Sequence, residues 1–118
     1  MVKIKRVYLP AEEADGYRIL VDRLWPRGIR KEDAKIDLWD KDVAPSAELR
    51  KWFGHIPERF DEFKERYRTE LKQNDALANL KKAVREHDVV TLLFSARDEE
   101  HNNAVVLKEL ISSSNGQG

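Results

Sequence analysis

The sequence contains no cysteine. That excludes disulfides, thiolate metal sites and a cysteine nucleophile, and it is compatible with a reducing cytoplasm. It also has no excess of either charge: 22 Lys and Arg balance 22 Asp and Glu. A net charge of zero gives no global pull toward nucleic acid or anionic lipid, although a local basic patch is still allowed. No apolar run is long enough to span a membrane, and the opening MVKIKRVYL turns polar too soon for a signal peptide. The expectation is a cytoplasmic protein with no membrane partner. Familiar signatures are missing as well: there is no Walker loop, no GxGxxG, no HExxH and no GxSxG around Ser95. There is no internal repeat, and the tail SSSNGQG is the sole low-complexity tract.

What remains is one domain's worth of chain, 118 residues with 41% hydrophobic and 37% charged content. Its centre of interest is YRILVDRLWPRG, where an apolar run from Tyr17 to Val21 stops abruptly in Asp22, Arg23, Trp25, Pro26, Arg27 and Gly28. This reads as a buried strand meeting a loop. Ile4 to Leu9 forms an earlier strand, and the link between the two is shorter than a parallel crossover normally needs, so antiparallel pairing is expected. A short third strand is read at Ile36 and Leu38. Ser46 is placed to cap a helix carrying Leu49, Trp52 and Phe53, and Gly54 to end it. Pro57 opens the next helix, whose stripe of Phe60, Phe63, Tyr67 and Leu71 is core packing. Asn74 or Asp75 caps a further helix with Leu77, Leu80 and Val84, ending near Glu86 or His87.

Val89 to Phe94, VVTLLF, is apolar on both faces and so belongs at the centre of a parallel sheet. It too empties into polar residues: Ser95, Arg97, Asp98, His101, Asn102 and Asn103. A last helix, beginning near Glu99, packs through Ala104 to Ile111, and residues 112–118 are expected to fray. The predicted fold is α/β: a single domain over residues 1–111 with about four strands in a mixed, largely parallel sheet flanked by helices, in Rossmann-like layering.

In such sheets ligands sit beyond the carboxyl ends of the strands. If both apolar strands run the same way, their trailing residues face one crevice. The start of the last helix, with Arg23, Arg27 or Arg97, would favour an anion there, a phosphate or a carboxylate. His101 is the leading acid/base candidate, since histidine titrates near neutrality, and Asp22 or Asp98 could orient it. Its plainer reading is a helix-start residue bonded to backbone. Asn102 and Asn103 are poor helix formers and suggest a binding role. Trp25 or Trp39 could stack on a ring, and Trp39 fits a structural role equally. His55 reaches the crevice if the Trp52 helix lies over it. The spacing of His101, Asp22 and Asp98 does not specify zinc, so no metal is assigned, and no cofactor is named by any motif.

Three stretches, DRLWPRG, APSAELRKWFGHIPERFDEF and TLLFSARDEEHNNAVVLKEL, together resemble the YeaO-like proteins, a branch of the domain-of-unknown-function family numbered 488. The likeness runs from Ile4 to about Leu110. It implies a compact α/β domain with an acid and an arginine, here Asp22 and Arg23, after a strand. Many members of the broader family carry a Cys-His-Arg triplet after the last strand, where this chain has His101, Asn102 and Asn103. Thiol- or arginine-based chemistry inferred for those members therefore does not carry over.

Three functions are weighed. One is a small enzyme acting on a phosphorylated or nucleotide-like molecule, with Asp22 and His101 catalytic. Its ligand would be held by Arg23, Trp25, Arg27, Trp39, Ser95, Arg97, Asp98, Asn102 and Asn103. The second is a noncatalytic module binding nucleic acid or protein through the basic clusters Arg27, Arg30, Lys31 or Lys81, Lys82, Arg85. The third makes the crevice a subunit interface centred on Trp25 and Trp39; the oligomeric state is not legible in the sequence.

Overall fold

The computed structural model describes residues 1–116, with side chains through residue 113. Its centre is β4, Val90–Phe94, every residue of which is buried. That is where VVTLLF belongs, because a strand without a polar face must be covered on both sides. β1 (Val2–Arg6) lies along one edge of β4 and β2 (Tyr17–Leu20) along the other, so that Ile4 and Ile19 both stand opposite Leu92. β3, only Leu38–Trp39, extends the sheet outward from β2. The order is β1-β4-β2-β3 and every pairing is parallel.

The antiparallel pairing expected of β1 and β2 is therefore not formed, and the sheet is wholly parallel rather than mixed. The two strands never touch as neighbours, since β4 stands between them. The minimum length of a parallel crossover assumes a helix on the way. Here residues 7–16 run back without one, with a 3-10 turn at Glu13–Asp15. Extended chain of that length reaches about 33 Å, roughly twice the length of a five-residue strand. β1 also ends sooner than its apolar run, because Leu9 turns back to donate its N–H to the Arg6 carbonyl at 3.1 Å.

Alternation along the strands divides the core. Ile19, Val21, Val90, Leu92 and Phe94 face one side, where α2 (Ala47–Phe53), α3 (Phe60–Lys72), α4 (Ala76–Arg85) and α5 (Asn103–Gly116), with Val43 of a 3-10 turn at Lys41–Val43, supply the rest of the main cluster. Leu20 and Leu93 face the other, with Val7, under Trp25, Ile29, Ile36 and Trp39. The polar connection after Gly28 holds one helical turn, α1 (Lys31–Ala34). Arg18 points to this second face and is 4% exposed. It donates to Asp15 at 2.5 Å and to the carbonyls of Ala34 and Lys35, which would otherwise end α1 without partners.

The helix punctuation follows the chain's own signals. The Ser46 hydroxyl accepts the Leu49 N–H at 3.1 Å, and Gly54 closes α2 at φ 55°. Ser46 is also held by Glu70 of α3, through its N–H at 2.9 Å and its hydroxyl at 2.6 Å. Pro57 begins a 3-10 turn that feeds α3, and Phe60, Phe63, Tyr67 and Leu71 are all buried. Each contributes roughly 2 kcal/mol by leaving water. α4 starts where Asn74 accepts the Ala76 N–H.

α5 does not begin near Glu99. Asp98 draws the N–H groups of Glu100 and His101 into a turn, and Asn102 then caps the helix by accepting the Val105 N–H at 3.0 Å. The helix continues through Gly116, across most of the stretch expected to fray, and residues 117–118 lie outside the described residues.

Candidate functional site

The parallel strands bring the two polar strand ends to the same edge of the sheet. Between them lies a cavity of about 380 Å³. Asp22 lines it, half-buried. Both the N–H and the hydroxyl of Ser95 donate to one Asp22 oxygen, at 2.9 and 2.8 Å, and the Asn103 amide donates to the other at 3.2 Å. Asn103 also donates to the Val21 carbonyl at 3.0 Å, so the end of β2, the end of β4 and the start of α5 are tied at one point.

The cavity wall has three parts. After β2 come Arg23, Leu24, Trp25, Pro26 and Arg27. From the segment entering and forming α2 come Ala44, Pro45, Arg50 and Phe53, with His55 just beyond and Phe63 of α3 behind. Tyr8, Ser95, Ala96, Asn102 and Asn103 close the remaining side. Trp25 is fixed by donating to the Ile29 carbonyl at 2.7 Å, and Tyr8 by donating to the Arg27 carbonyl at 3.0 Å.

Of the residues singled out in the sequence, Asp22, Arg23, Trp25, Arg27, Ser95, Asn102 and Asn103 line this cavity. Trp39, Arg97, Asp98 and His101 do not. Trp39 stands behind the wall, donating to the Asp22 carbonyl at 2.8 Å and meeting Trp25 edge-on at 5.3 Å, while Lys41 covers its ring at 4.1 Å. Arg97 is exposed. His101 closes on Asp98, Nδ1 to Oδ2 at 2.8 Å, and sets its ring edge against Phe60 at 5.1 Å. The Glu100 N–H, ahead of the contacts from His101, holds the Asp98 carboxyl below the usual carboxylate range. Asn102 and Asn103 prove to be structural ties as well as wall.

Arg50 and Tyr8 are the residues that sequence reasoning passed over. A signal for Arg50 exists: it lies three positions before Phe53 on the same helix, hence on the flank of the buried stripe. Its Nε is buried with no hydrogen-bond partner. Among the described residues no carboxylate pairs with Arg23, Arg27 or Arg50. Asp22 is the sole acid in the lining, which carries three arginines. No group of three or more His, Asp and Glu side chains among the described residues is placed to hold a metal ion. Nor is any helix among them long and apolar enough to cross a membrane.

A parallel α/β domain with a basic, aromatic-walled cleft at its strand ends is the class these features define. The chain belongs to the family described as the inactive DUF488-N3 subclade, which it matches over residues 1–117. An uncharacterized protein of Mycobacterium tuberculosis is 49% identical over 111 residues, covering 94% of this chain and 93% of that one. The uncharacterized protein YeaO of Escherichia coli is 46% identical over 112 residues, covering 95% and 97%. This bears out the YeaO-like resemblance. No solved structure matches the chain.

Proposed function

We propose that this protein is a noncatalytic binding domain that takes up a small phosphate-bearing molecule in the cleft beyond β2 and β4. The observation that carries the reading is Arg50: a guanidinium with a buried, unpartnered Nε on the wall of a cavity that Arg23 and Arg27 also line. A buried donor without an acceptor costs about 1–3 kcal/mol, a cost relieved if the guanidinium turns toward an anion in the cleft. Guanidinium groups match phosphate oxygens in charge and in fork geometry. The excess of positive charge is local, in a chain whose formal net charge is zero.

Binding without turnover is favoured by the fate of the acid/base pair. Asp22 and His101 do not meet: Asp22 is held by Ser95 and Asn103 in the cavity, and His101 is closed on Asp98 outside it. The family's description as inactive points the same way. The test is a thermal-shift series with inorganic phosphate, ribose 5-phosphate and 5′-AMP, each mixture then checked by phosphorus NMR for products. A ligand at 100 times its Kd adds about 2.7 kcal/mol of stability, so binding is easily seen. No shift with any of the three overturns the binding reading, and product formation overturns the noncatalytic one.

A further inference from the structure

We infer that the ligand is a phosphomonoester joined to an aromatic ring and a hydroxyl donor, the chemistry of a free nucleoside monophosphate; this rests on the reading of the cleft as an anion site. Charge fixes the first element. Three arginines against one carboxylate leave two positive charges uncompensated, which suits the dianion of a phosphomonoester better than a singly charged diester or carboxylate.

Asp22 fixes the second. A carboxylate repels phosphate, so its presence in an anion site makes sense where the ligand also offers a donor. Oδ2 is occupied twice by Ser95, whereas Oδ1 receives only Asn103, at 3.2 Å. A carboxylate oxygen accepts two hydrogen bonds, so Oδ1 keeps a place for one hydroxyl. The rings fix the third. Tyr8, Trp25, Phe53, His55 and Phe63 all line the cavity, and Phe53 stacks on Phe63 at 4.5 Å to form an apolar surface. Tyr8 and Leu24 stand at the margin, 42% and 65% exposed, as apolar groups still without cover. A volume near 380 Å³ is that of a site for one small molecule, and the zero net charge gives no track for a strand.

Calorimetric titration of the intact chain with 5′-AMP, adenosine, ribose 5-phosphate, inorganic phosphate and a 5′-phosphorylated oligonucleotide tests this. The expected order places 5′-AMP about tenfold or more tighter than ribose 5-phosphate, the gain typical of one stacked base. Adenosine and inorganic phosphate should bind more weakly still. Equal binding of 5′-AMP, ribose 5-phosphate and inorganic phosphate overturns the inference yet leaves the anion site standing; no binding by any of them overturns both. Tighter, steeply salt-dependent binding of the oligonucleotide makes a strand end the ligand and overturns the free nucleotide. Tyr8→Ala, at an exposed position, should weaken 5′-AMP on the order of tenfold and weaken inorganic phosphate less, since the lost Tyr8 hydroxyl also holds the Arg27 carbonyl. Asp22→Asn should lower the ratio of 5′-AMP to inorganic phosphate affinity. An unchanged ratio in either variant removes that residue from the recognition of the ligand.

Discussion

Asp22 and Ser95, 73 positions apart, are joined twice, since the serine's N–H and hydroxyl both donate to the same carboxylate oxygen. With Asn103 on the other oxygen, one side chain fixes the mouth of the sheet. Asp22→Ala should lower the free energy of unfolding by about 2–3 kcal/mol, because it strands three donors at once. Ser95→Ala should cost about 1 kcal/mol. The double variant should lose measurably less than the sum, as partners in one network do. Urea denaturation of the four proteins gives the answer, and strictly additive losses would show that the two residues do not hold each other.

Asp15 gives the fold a defined acid limit. Burial by itself would raise its carboxyl, but the Glu12 N–H, Lys5 and Arg18 outweigh burial and hold it below the usual carboxylate range. A carboxyl lowered in the folded state stabilises fully above its unfolded value of about 3.9, and that stability is lost as pH falls through the folded value. Asp15→Asn should therefore be less stable than the parent at pH 7, and the gap should close below about pH 4. Arg18→Met should cost roughly 3–5 kcal/mol at pH 7, since it leaves a buried carboxylate with Lys5 as its one cationic partner at hydrogen-bonding distance. A deficit for Asp15→Asn that stays the same at pH 3 would refute the assignment.

Local patterns carried much of this. β2, β4, the capped α2 and the stripe of α3 are each written in a few neighbouring residues, and so is the emptying of two strands into polar ends. Strand order is different in kind. Whether β1 and β2 pair depends on β4, which arrives more than seventy residues later and inserts between them. The site divides the same way. Asp22 and Ser95 were legible as strand ends, whereas His101 is turned to Asp98 by a loop whose geometry comes from hydrogen bonds rather than hydrophobic period. Arg50 carried a partial signal, three positions before Phe53 on the same helix, but that spacing puts it on the flank of the stripe without saying whether solvent or a cavity lies there.

Gly16 is the tightest point of the crossover from β1 to β2. It adopts φ 65°, and a Cβ there would lie 2.3 Å from the Val89 carbonyl oxygen, the acceptor of the Tyr17 N–H that starts β2. Gly16→Ala must strain the backbone and also push strands apart, so a loss above about 2 kcal/mol is expected. Gly28 provides the control: its φ is 81° but nothing lies within 4 Å of its virtual Cβ. Gly28→Ala should cost about 1 kcal/mol, the conformational part alone. Equal losses in denaturant titrations would mean that the close approach at Val89 is not what requires glycine.

Arg50 separates a binding residue from a structural one by the sign of its effect. In phosphate-free buffer Arg50→Met removes a buried donor that has no acceptor while keeping most of the side chain's apolar packing. The variant should be as stable as the parent, or up to about 1 kcal/mol more so. With 5′-AMP or ribose 5-phosphate present, the parent should gain in melting temperature and Arg50→Met should lose most of that gain. Arg23→Met, at an exposed position, should stay within about 0.5 kcal/mol of the parent without ligand and lose part of the gain with it. A variant at Arg50 destabilised by more than 2 kcal/mol, with its ligand response intact, would make the arginine a strut of the fold and leave the cleft without its strongest claim to an anion.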